Sequence, residues 1–481
     1  MNAKHLSIVV IGASGDLARG KIYPALFSLY AQGLLPPDTN IFGFSRTKFS
    51  ASEFRTAVES KLTCRYTPEK NCGEKQLAFL SHCHYHSGQY DSATSFLDLY
   101  QQMRKLESVE DTNRLYYLSI PPSVFLEVTR ALGDADLIAC SPPESWSRIV
   151  IEKPFGRDSQ TATELTDGID KVVCESDVYR IDHYLGKEAI QNLMALRFAN
   201  LIFSSIWNNN CIDHVCIDWK ERIGVKNRAG YFNDYGIIRD VVQNHLLQIL
   251  ALIAMELPAS YDSHDIRNEK VKVLKCIAPP ELKDVRLGQY IGNDSGHPGY
   301  RDENGVPNDS KTPTYAAVKL QVANERWRGV PFLITAGKGL DDSSTEVRIH
   351  FKDLPDNIFR DTSPDLPHNQ LTIRVQPDDA IYLNFNTKKP GLSSGIIGAS
   401  LDFVYKSAFN DVVPEAYERL LLDVIRGDKT HFIRADELAA AWEIFTPVLH
   451  TIDRAHIEPE KYKFGAESPP FGEISLENNT V

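Results

Sequence analysis

Leu6-Ser7-Ile8-Val9-Val10-Ile11 runs without a break into Gly12-Ala13-Ser14-Gly15-Asp16-Leu17-Ala18. The first of these stretches is short, apolar and β-branched, the pattern of a strand buried on both faces in a parallel sheet. The glycines that follow at once permit a tight turn and a close approach of the backbone to a pyrophosphate. Small Ala18 stands where a third glycine would let a helix pack near the strand. The spacing is GxxGxxA, not GxGxxG, so a plain strand-turn-helix junction remains the alternative at this point.

Outward from that start, strand and helix patterns alternate. The segment to Tyr30 is helical in character and stops before Gly33 and Pro36-Pro37, and Asn40 to Phe44 reads as a second strand. Ser50-x-x-Glu53 is a capping box, Ser95 to Leu106 is amphipathic, and Leu115 to Ile120 and Arg148 to Glu152 read as strands. Such alternation predicts an α/β, Rossmann-like, doubly wound parallel sheet. Arg46 lies just past the second strand, where an acidic residue suits the ribose hydroxyls of NAD and an arginine accommodates the 2′-phosphate of NADP. NADP is therefore expected, against an ordinary exposed loop arginine. Tyr117 and Pro121-Pro122 fall at the carboxyl end of a strand, where ligands sit in such sheets. In Glu152-Lys153-Pro154-Phe155-Gly156, Lys153 can reach both a nicotinamide ribose and a substrate hydroxyl, or simply end a strand, and its bond to Pro154 is a candidate for cis. His82-Cys83-His84-Tyr85-His86 puts alternate histidines on one face. Without an evident acidic partner, a polar-faced strand is preferred there over a metal site.

The chain has 481 residues, 42% hydrophobic and 24% charged, which excludes global disorder and is enough for two domains with full cores. A formal net charge of −12 argues against a nucleic-acid partner, so an anionic substrate would need a local basic site. The eight cysteines show no CxxC spacing, which is read as free thiols in a reducing compartment, with no metal site. The apolar run near the N-terminus is too short for a membrane span and lacks a cleavage site, so a cytoplasmic location without a membrane is expected.

Arg180-Ile181-Asp182-His183-Tyr184-Leu185-Gly186-Lys187-Glu188 sets a carboxylate, an imidazole, a phenol and an ammonium close together at a turn entering a helix. Helix starts bind anions, and His183 and Lys187 add positive charge there, which suits a phosphate dianion. A turn with a solvated charged face is the alternative. Beyond it, Lys187 to Arg197 is helical, Val215 to Glu221 is a strand ending in a carboxylate that can bond sugar hydroxyls, and residues 292–314 are a long polar loop. Ile237 to Met255 is the strongest helix of the second domain. It has an apolar arc through Val242, Leu246 and Ile249, and a polar one through Asp240, Asn244, His245 and Gln248. His245 borders the core; it is either a satisfied structural histidine or, with Asp182 as an orienting carboxylate, a general base. Runs at Tyr315–Val322, Phe332–Thr335, Thr345–Phe351, Leu371–Val375 and Ala380–Asn386 suggest an antiparallel sheet, with helices returning at Glu415–Arg426 and Ala435–Ile452. The expected domains are 1–178, binding dinucleotide, and 179–481, a larger α+β domain on a mainly antiparallel sheet. The last fifteen or so residues read as loose.

GASGDLA (12–18), EKPFG (152–156), RIDHYLGKE (180–188), IIRDVVQNHLLQ (237–248) and ERWRGVPF (325–332) together resemble the glucose-6-phosphate dehydrogenase family over nearly the whole chain. The resemblance implies an NADP-dependent oxidoreductase that oxidises glucose 6-phosphate at C1 to the lactone, the first step of the oxidative pentose phosphate pathway. It implies His245 as general base paired with Asp182, and a substrate set of Lys153, His183, Tyr184, Lys187, Glu221, Asp240, Lys338 and Gln376. It also implies coenzyme contacts at Gly12, Ala13, Ser14, Gly15, Asp16, Leu17, Arg46, Tyr117 and Lys153, a homodimer or homotetramer, and no metal. Two departures stand out. Ser343 takes the place of a second basic residue after Gly337-Lys338, and Thr335 and Ser344 replace basic partners that hold a second, structural NADP in animal relatives, although Arg348, Arg374 and Lys389 remain.

Overall fold

β1 (His5–Ile11) lies inside a seven-stranded sheet, paired in parallel with β2 (Asp38–Ser45) on one side and β4 (Asn113–Leu118) on the other. The structure is a computed structural model that describes residues 5–66, 69–107, 112–138, 145–359, 366–392, 395–409 and 412–469. The other strands of this sheet are β3 (Cys83–Ser87), β5 (Ser147–Glu152), β6 (Val178–Ile181) and a short strand far along the chain, Phe432–Ile433. From one edge the order is Phe432–Ile433, β6, β5, β4, β1, β2, β3, all parallel except the first pair. This is the expected doubly wound sheet, with an antiparallel edge strand that local periodicity did not announce.

By packing, the chain forms two units. The first comprises Met1–Gly186 with two later segments, Ser260–Arg267 and Val412–Ala439; the second comprises Lys187–Ala259, Asn268–Asp411 and Ala440–Val481. A single division after residue 178 leaves those two later segments out. They belong because helix Ala416–Arg426 buries Leu420, Leu421 and Val424 in the same core as Ile8 and Val10 of β1 and Leu26 and Phe27 of helix Tyr23–Ala31. The capping box at Ser50 forms as read, with Ser50 Oγ accepting from the Glu53 amide at 3.2 Å and Glu53 Oε2 accepting from the Ser50 amide at 2.8 Å.

The second unit is built on nine strands. In chain order they are β7 (Ile212–Glu221), β8 (Val285–Ile291), β9 (Tyr315–Gln321), β10 (Pro331–Lys338), β11 (Ser344–Phe351), β12 (Gln370–Gln376), β13 (Ala380–Lys388), β14 (Ile396–Val404) and the short Glu460–Lys463. The spatial order is β14, β13, β12, β11, β7, β10, β9, β8, Glu460–Lys463. The sheet is mainly antiparallel, as expected, but β7–β10 and β8 with Glu460–Lys463 are parallel. A crossover that includes a long helix separates β7 from β10, and only such a connection lets two strands run the same way.

That helical run, Ala229–Ala254, is long and apolar enough to cross a membrane, yet 94% of its apolar stretch is buried inside the fold. The expected polar arc does not face water: Asp240, Gln243, Asn244, His245 and Gln248 are all buried. Nor is the run a uniform α-helix. Gly236 (φ 67°) breaks it, Ile238–Leu246 is a π-helix, and α-helix resumes over Leu247–Ala254. A π-helical turn also covers Ala18–Ile22, directly after the glycine turn. Both widened turns fall on segments singled out from sequence, in keeping with the tendency of such bulges to mark functional sites.

The cysteines correct the reading of uniformly free thiols. Cys64 and Cys72 are joined, with Cα atoms 5.9 Å apart, and Cys174 is disulfide-bonded as well, whereas Cys83, Cys211, Cys216 and Cys276 are free. A spacing of eight is not a motif, and the pair ties the segment before helix Glu69–Ser81 to that helix. The expected loose C-terminus falls mostly on 470–481, outside the described residues.

Candidate active-site residues

In the first unit, the glycine turn sits between β1 and the π-helical turn. Gly12 has φ 89°, and a Cβ there would stand 2.0 Å from the carbonyl oxygen of Ser119, so only glycine fits. The Gly15 amide donates to the Gly12 carbonyl at 2.9 Å, closing the turn. Thr47 Oγ1 donates to Ser14 Oγ at 3.0 Å and ties the turn to the end of β2. Arg46, exposed beside it, holds its guanidinium 5.0 Å over the Tyr90 ring. Asp16 is exposed and accepts from Arg19 at 3.0 Å; Ala13 is buried, and Leu17 packs against the core. A turn that excludes any Cβ, at the head of a helical segment and next to an exposed arginine, suits a dinucleotide.

Tyr117 is not open at the strand end. It is fully buried, and its hydroxyl donates to Glu152 Oε1 across the β4–β5 pair. Tyr417, from helix Ala416–Arg426, also hydrogen-bonds Glu152. Burial pushes the Glu152 carboxyl up to about 7 against the pull of both tyrosines and of Lys153, while Asp182 adds to the rise. The same burial drives Tyr117 and Tyr417 well above the usual phenol value. Glu152 and Tyr417 were missed from sequence. Glu152 stood in the quoted EKPFG run, but its partner Tyr417 is too far along the chain to be suspected. The Lys153–Pro154 bond is cis, as is Gln376–Pro377.

Asp182 is buried at the end of β6, where its Oδ1 accepts from the Tyr184 amide at 3.0 Å. His183 and Tyr184 form the next turn. The His183 ring lies nearly parallel to that of Tyr417 (6.2 Å, 6°) and edge-on to Tyr184 (5.0 Å). Tyr417 thus hydrogen-bonds the Glu152 carboxyl and lies parallel to the His183 imidazole.

In the second unit, Lys187 stands at the N-cap position of helix Glu188–Phe198, the helix start read from sequence. Its Nζ donates to Gln376 Oε1 at 2.8 Å, and Asp379 Oδ1 accepts from the Ala189 amide at 3.3 Å. Burial raises the Asp379 carboxyl, with Lys187 opposing. Two further predicted residues meet because β7 and β10 run in parallel register: Glu221 and Lys338 are cross-strand partners and form an ion pair. Trp219 and Phe232 flank the ammonium at 5.1 and 5.5 Å. Ser343, at the departure from the family pattern, accepts from the Arg222 amide at 3.0 Å.

His245 and Asp240 lie on the buried π-helical segment, which packs on β10. What holds that helix was not read from sequence. Its last carbonyls are bonded by three buried side chains: Arg197 donates to Leu252 and Met255 at 2.6 Å each, and Trp207 and Trp327 to Ile253 and Ala254 at 2.9 Å each. A helix end buried away from water needs such partners. Arg197 belongs to the helix that Lys187 starts, so one guanidinium links the two predicted segments. Its buried charge has a cost: desolvation, with Arg326 nearby, lowers it to about 9.

His82, His84 and His86 lie against Tyr30, Phe42 and Phe44, and they are not among the groups of side chains, in the described residues, able to share a metal ion. Arg348 is bonded to Asp218, which also accepts from Thr335, and Arg374 is bonded to Glu346. Two of the three basic side chains left over for a second dinucleotide, Arg348 and Arg374, are thus already paired within the sheet.

Residues 9–192 match the glucose-6-phosphate dehydrogenase NAD binding domain and residues 194–480 its C-terminal domain. The chain is 48% identical over 470 residues to the chloroplastic glucose-6-phosphate 1-dehydrogenase 1 of Arabidopsis thaliana, covering 96% of this chain and 81% of that one. It is 47% identical to the glucose-6-phosphate 1-dehydrogenase of Dictyostelium discoideum over 471 residues, 96% and 92% of the two chains. Among solved structures, a glucose-6-phosphate dehydrogenase in complex with glucose 6-phosphate superposes with a TM-score of 0.91 at 40% identity, covering 97% of this chain and 96% of that one. The Mycobacterium avium enzyme does so with 0.81 at 29% identity over the same shares. On these grounds the chain belongs to the glucose-6-phosphate dehydrogenase family, oxidoreductases of glucose metabolism built on a pyridine-nucleotide-binding domain.

Proposed function

We propose that the protein oxidises the β-anomer of D-glucose 6-phosphate at C1 to 6-phospho-D-glucono-1,5-lactone with NADP+, the entry reaction of the oxidative pentose phosphate pathway. The observation that carries the reading is Lys187, which stands at the N-cap position of helix Glu188–Phe198 and donates its ammonium to Gln376, in a chain 40% identical to a solved dehydrogenase that holds this substrate. Lys187, His183 and Tyr184 bind the phosphate; Lys153, Glu221, Asp240, Lys338 and Gln376 orient the sugar. His245 takes the C1 hydroxyl proton, and Asp182 fixes the imidazole and stabilises the imidazolium that forms. Gly12, Ala13, Ser14, Gly15, Asp16 and Leu17 hold the pyrophosphate, and Arg46 selects the 2′-phosphate. Tyr117 stands behind Lys153 by fixing Glu152. When bound, the dinucleotide supplies the hydride acceptor.

The protein is further proposed to act in the cytosol as a homodimer or homotetramer. β14, an edge strand with Ile397, Leu401 and Phe403 at 42, 60 and 40% exposure, supports self-association, because exposed apolar edges favour pairing. Sedimentation of the purified chain as a monomer at working concentration would refute that part. The activity is tested by absorbance with glucose 6-phosphate and NADP+ against glucose and NAD+. Reduction that needs the sugar phosphate supports the proposal, and no reduction, or equal rates with free glucose, overturns it.

A further inference from the structure

β7 and β11 are antiparallel neighbours in which His214 stands opposite His350 and Cys216 opposite Arg348. Side chains alternate along a strand, so His214 and Cys216 lie on the face away from Val215, Ile217, Trp219 and Glu221. This cluster is therefore separate from the sheet face that carries the proposed sugar ligand. The two imidazoles stack at 4.1 Å with 13° between their planes. A ring nitrogen of each and Cys216 Sγ all lie within 4.8 Å of one another. Cys216 is a free thiol, buried among them, while His214 keeps 17% of its side chain open to solvent.

A second observation points the same way. Asp213 Oδ2 lies 2.7 Å from His214 Nδ1. A carboxylate on one ring nitrogen fixes the tautomer and leaves Nε2 as the ligand atom, the arrangement that supports histidine on metals. The nearby cation, Arg348, is engaged by Asp218 at 3.1 Å. Two imidazoles and a thiolate select zinc-like or softer ions over calcium and magnesium, which prefer oxygen. In a tetrahedral zinc site the donors stand about 3.4–3.8 Å apart, so closing this cage requires the side chains to draw together and the stacked rings to turn toward the ion.

We propose that His214, Cys216 and His350 bind one divalent transition-metal ion of the zinc type, with water in the fourth position, as a cross-strand staple between β7 and β11. Coordination displaces the thiol proton, one per ion bound, and no oxidation or reduction is involved. Glucose 6-phosphate oxidation does not pass through it.

The test titrates the metal-stripped, full-length protein with Co2+ and then Zn2+. One equivalent of Co2+ should give tetrahedral visible bands and a near-ultraviolet thiolate-to-cobalt band, both abolished by Zn2+. Cys216→Ser should lose the thiolate band, and His350→Gln should weaken binding by at least about tenfold, as should Asp213→Asn to a lesser degree. Glucose-6-phosphate oxidation by each variant reports that it has folded. Stoichiometric binding that survives both Cys216→Ser and His350→Gln, or no stoichiometric binding by the parent chain, overturns the proposal.

Discussion

Tyr117 and Glu152, on adjacent parallel strands at the centre of the first sheet, share a hydrogen bond in which the phenol donates to a carboxyl that burial holds near 7. The folded value lies above the ordinary 4.5, so between 4.5 and about 7 the folded chain binds the proton that the unfolded chain has lost. Stability therefore falls as pH rises through that window, by up to about 3 kcal/mol, and is flat with respect to this group above it. Glu152→Gln cannot ionise and should flatten the slope. Urea unfolding of both proteins from pH 5 to 8 checks this, and parallel curves would show that Glu152 does not titrate there.

His245→Ala should lower kcat by about 10²–10⁴. Asp182→Asn should also lower kcat, through loss of the orienting carboxylate. Near-normal turnover in either folded variant would remove that residue from the proposed mechanism.

Arg46 stands exposed over Tyr90, with no carboxylate bonded to it among the described residues. Arg46→Ala should raise KM for NADP+ by roughly tenfold or more while leaving NAD+ almost unchanged. Equal losses with both dinucleotides would contradict a role in reading the 2′-phosphate.

Gly12 tolerates no Cβ, which would meet the Ser119 carbonyl at 2.0 Å. Gly12→Ala should destabilise by on the order of 3 kcal/mol and weaken dinucleotide binding together. Differential scanning calorimetry and a dinucleotide titration measure the two effects, and retention of both would mean that the turn relaxes freely.

Trp327 Nε1 bonds the Ala254 carbonyl at 2.9 Å at the buried end of the helix that carries His245. Trp327→Phe keeps most of the ring but leaves that carbonyl unsatisfied, at about 1–3 kcal/mol. A drop in unfolding free energy below that range would mean that water reaches the helix end.

Much of the first unit was legible because its signals are local. An apolar run, a glycine turn and a capping box each lie within a few residues, and their alternation dictates parallel pairing. The RIDHYLGKE run announced its helix start for the same reason. Glu152 with Tyr417, Arg197 with Leu252, Cys64 with Cys72 and His214 with His350 were invisible, because each needs two segments to be packed before the partners meet.

The sequence by itself determined the strands and helices with strong local signals and which side-chain chemistries are available, since periodicity and turn residues act over a few positions. Only the tertiary structure decided that the polar arc around His245 is buried, that Tyr117 faces a carboxyl, and that Phe432–Ile433 completes the first sheet. Burial, pKa and hydrogen-bond partners are set by neighbours distant in the chain, and packing chooses those neighbours.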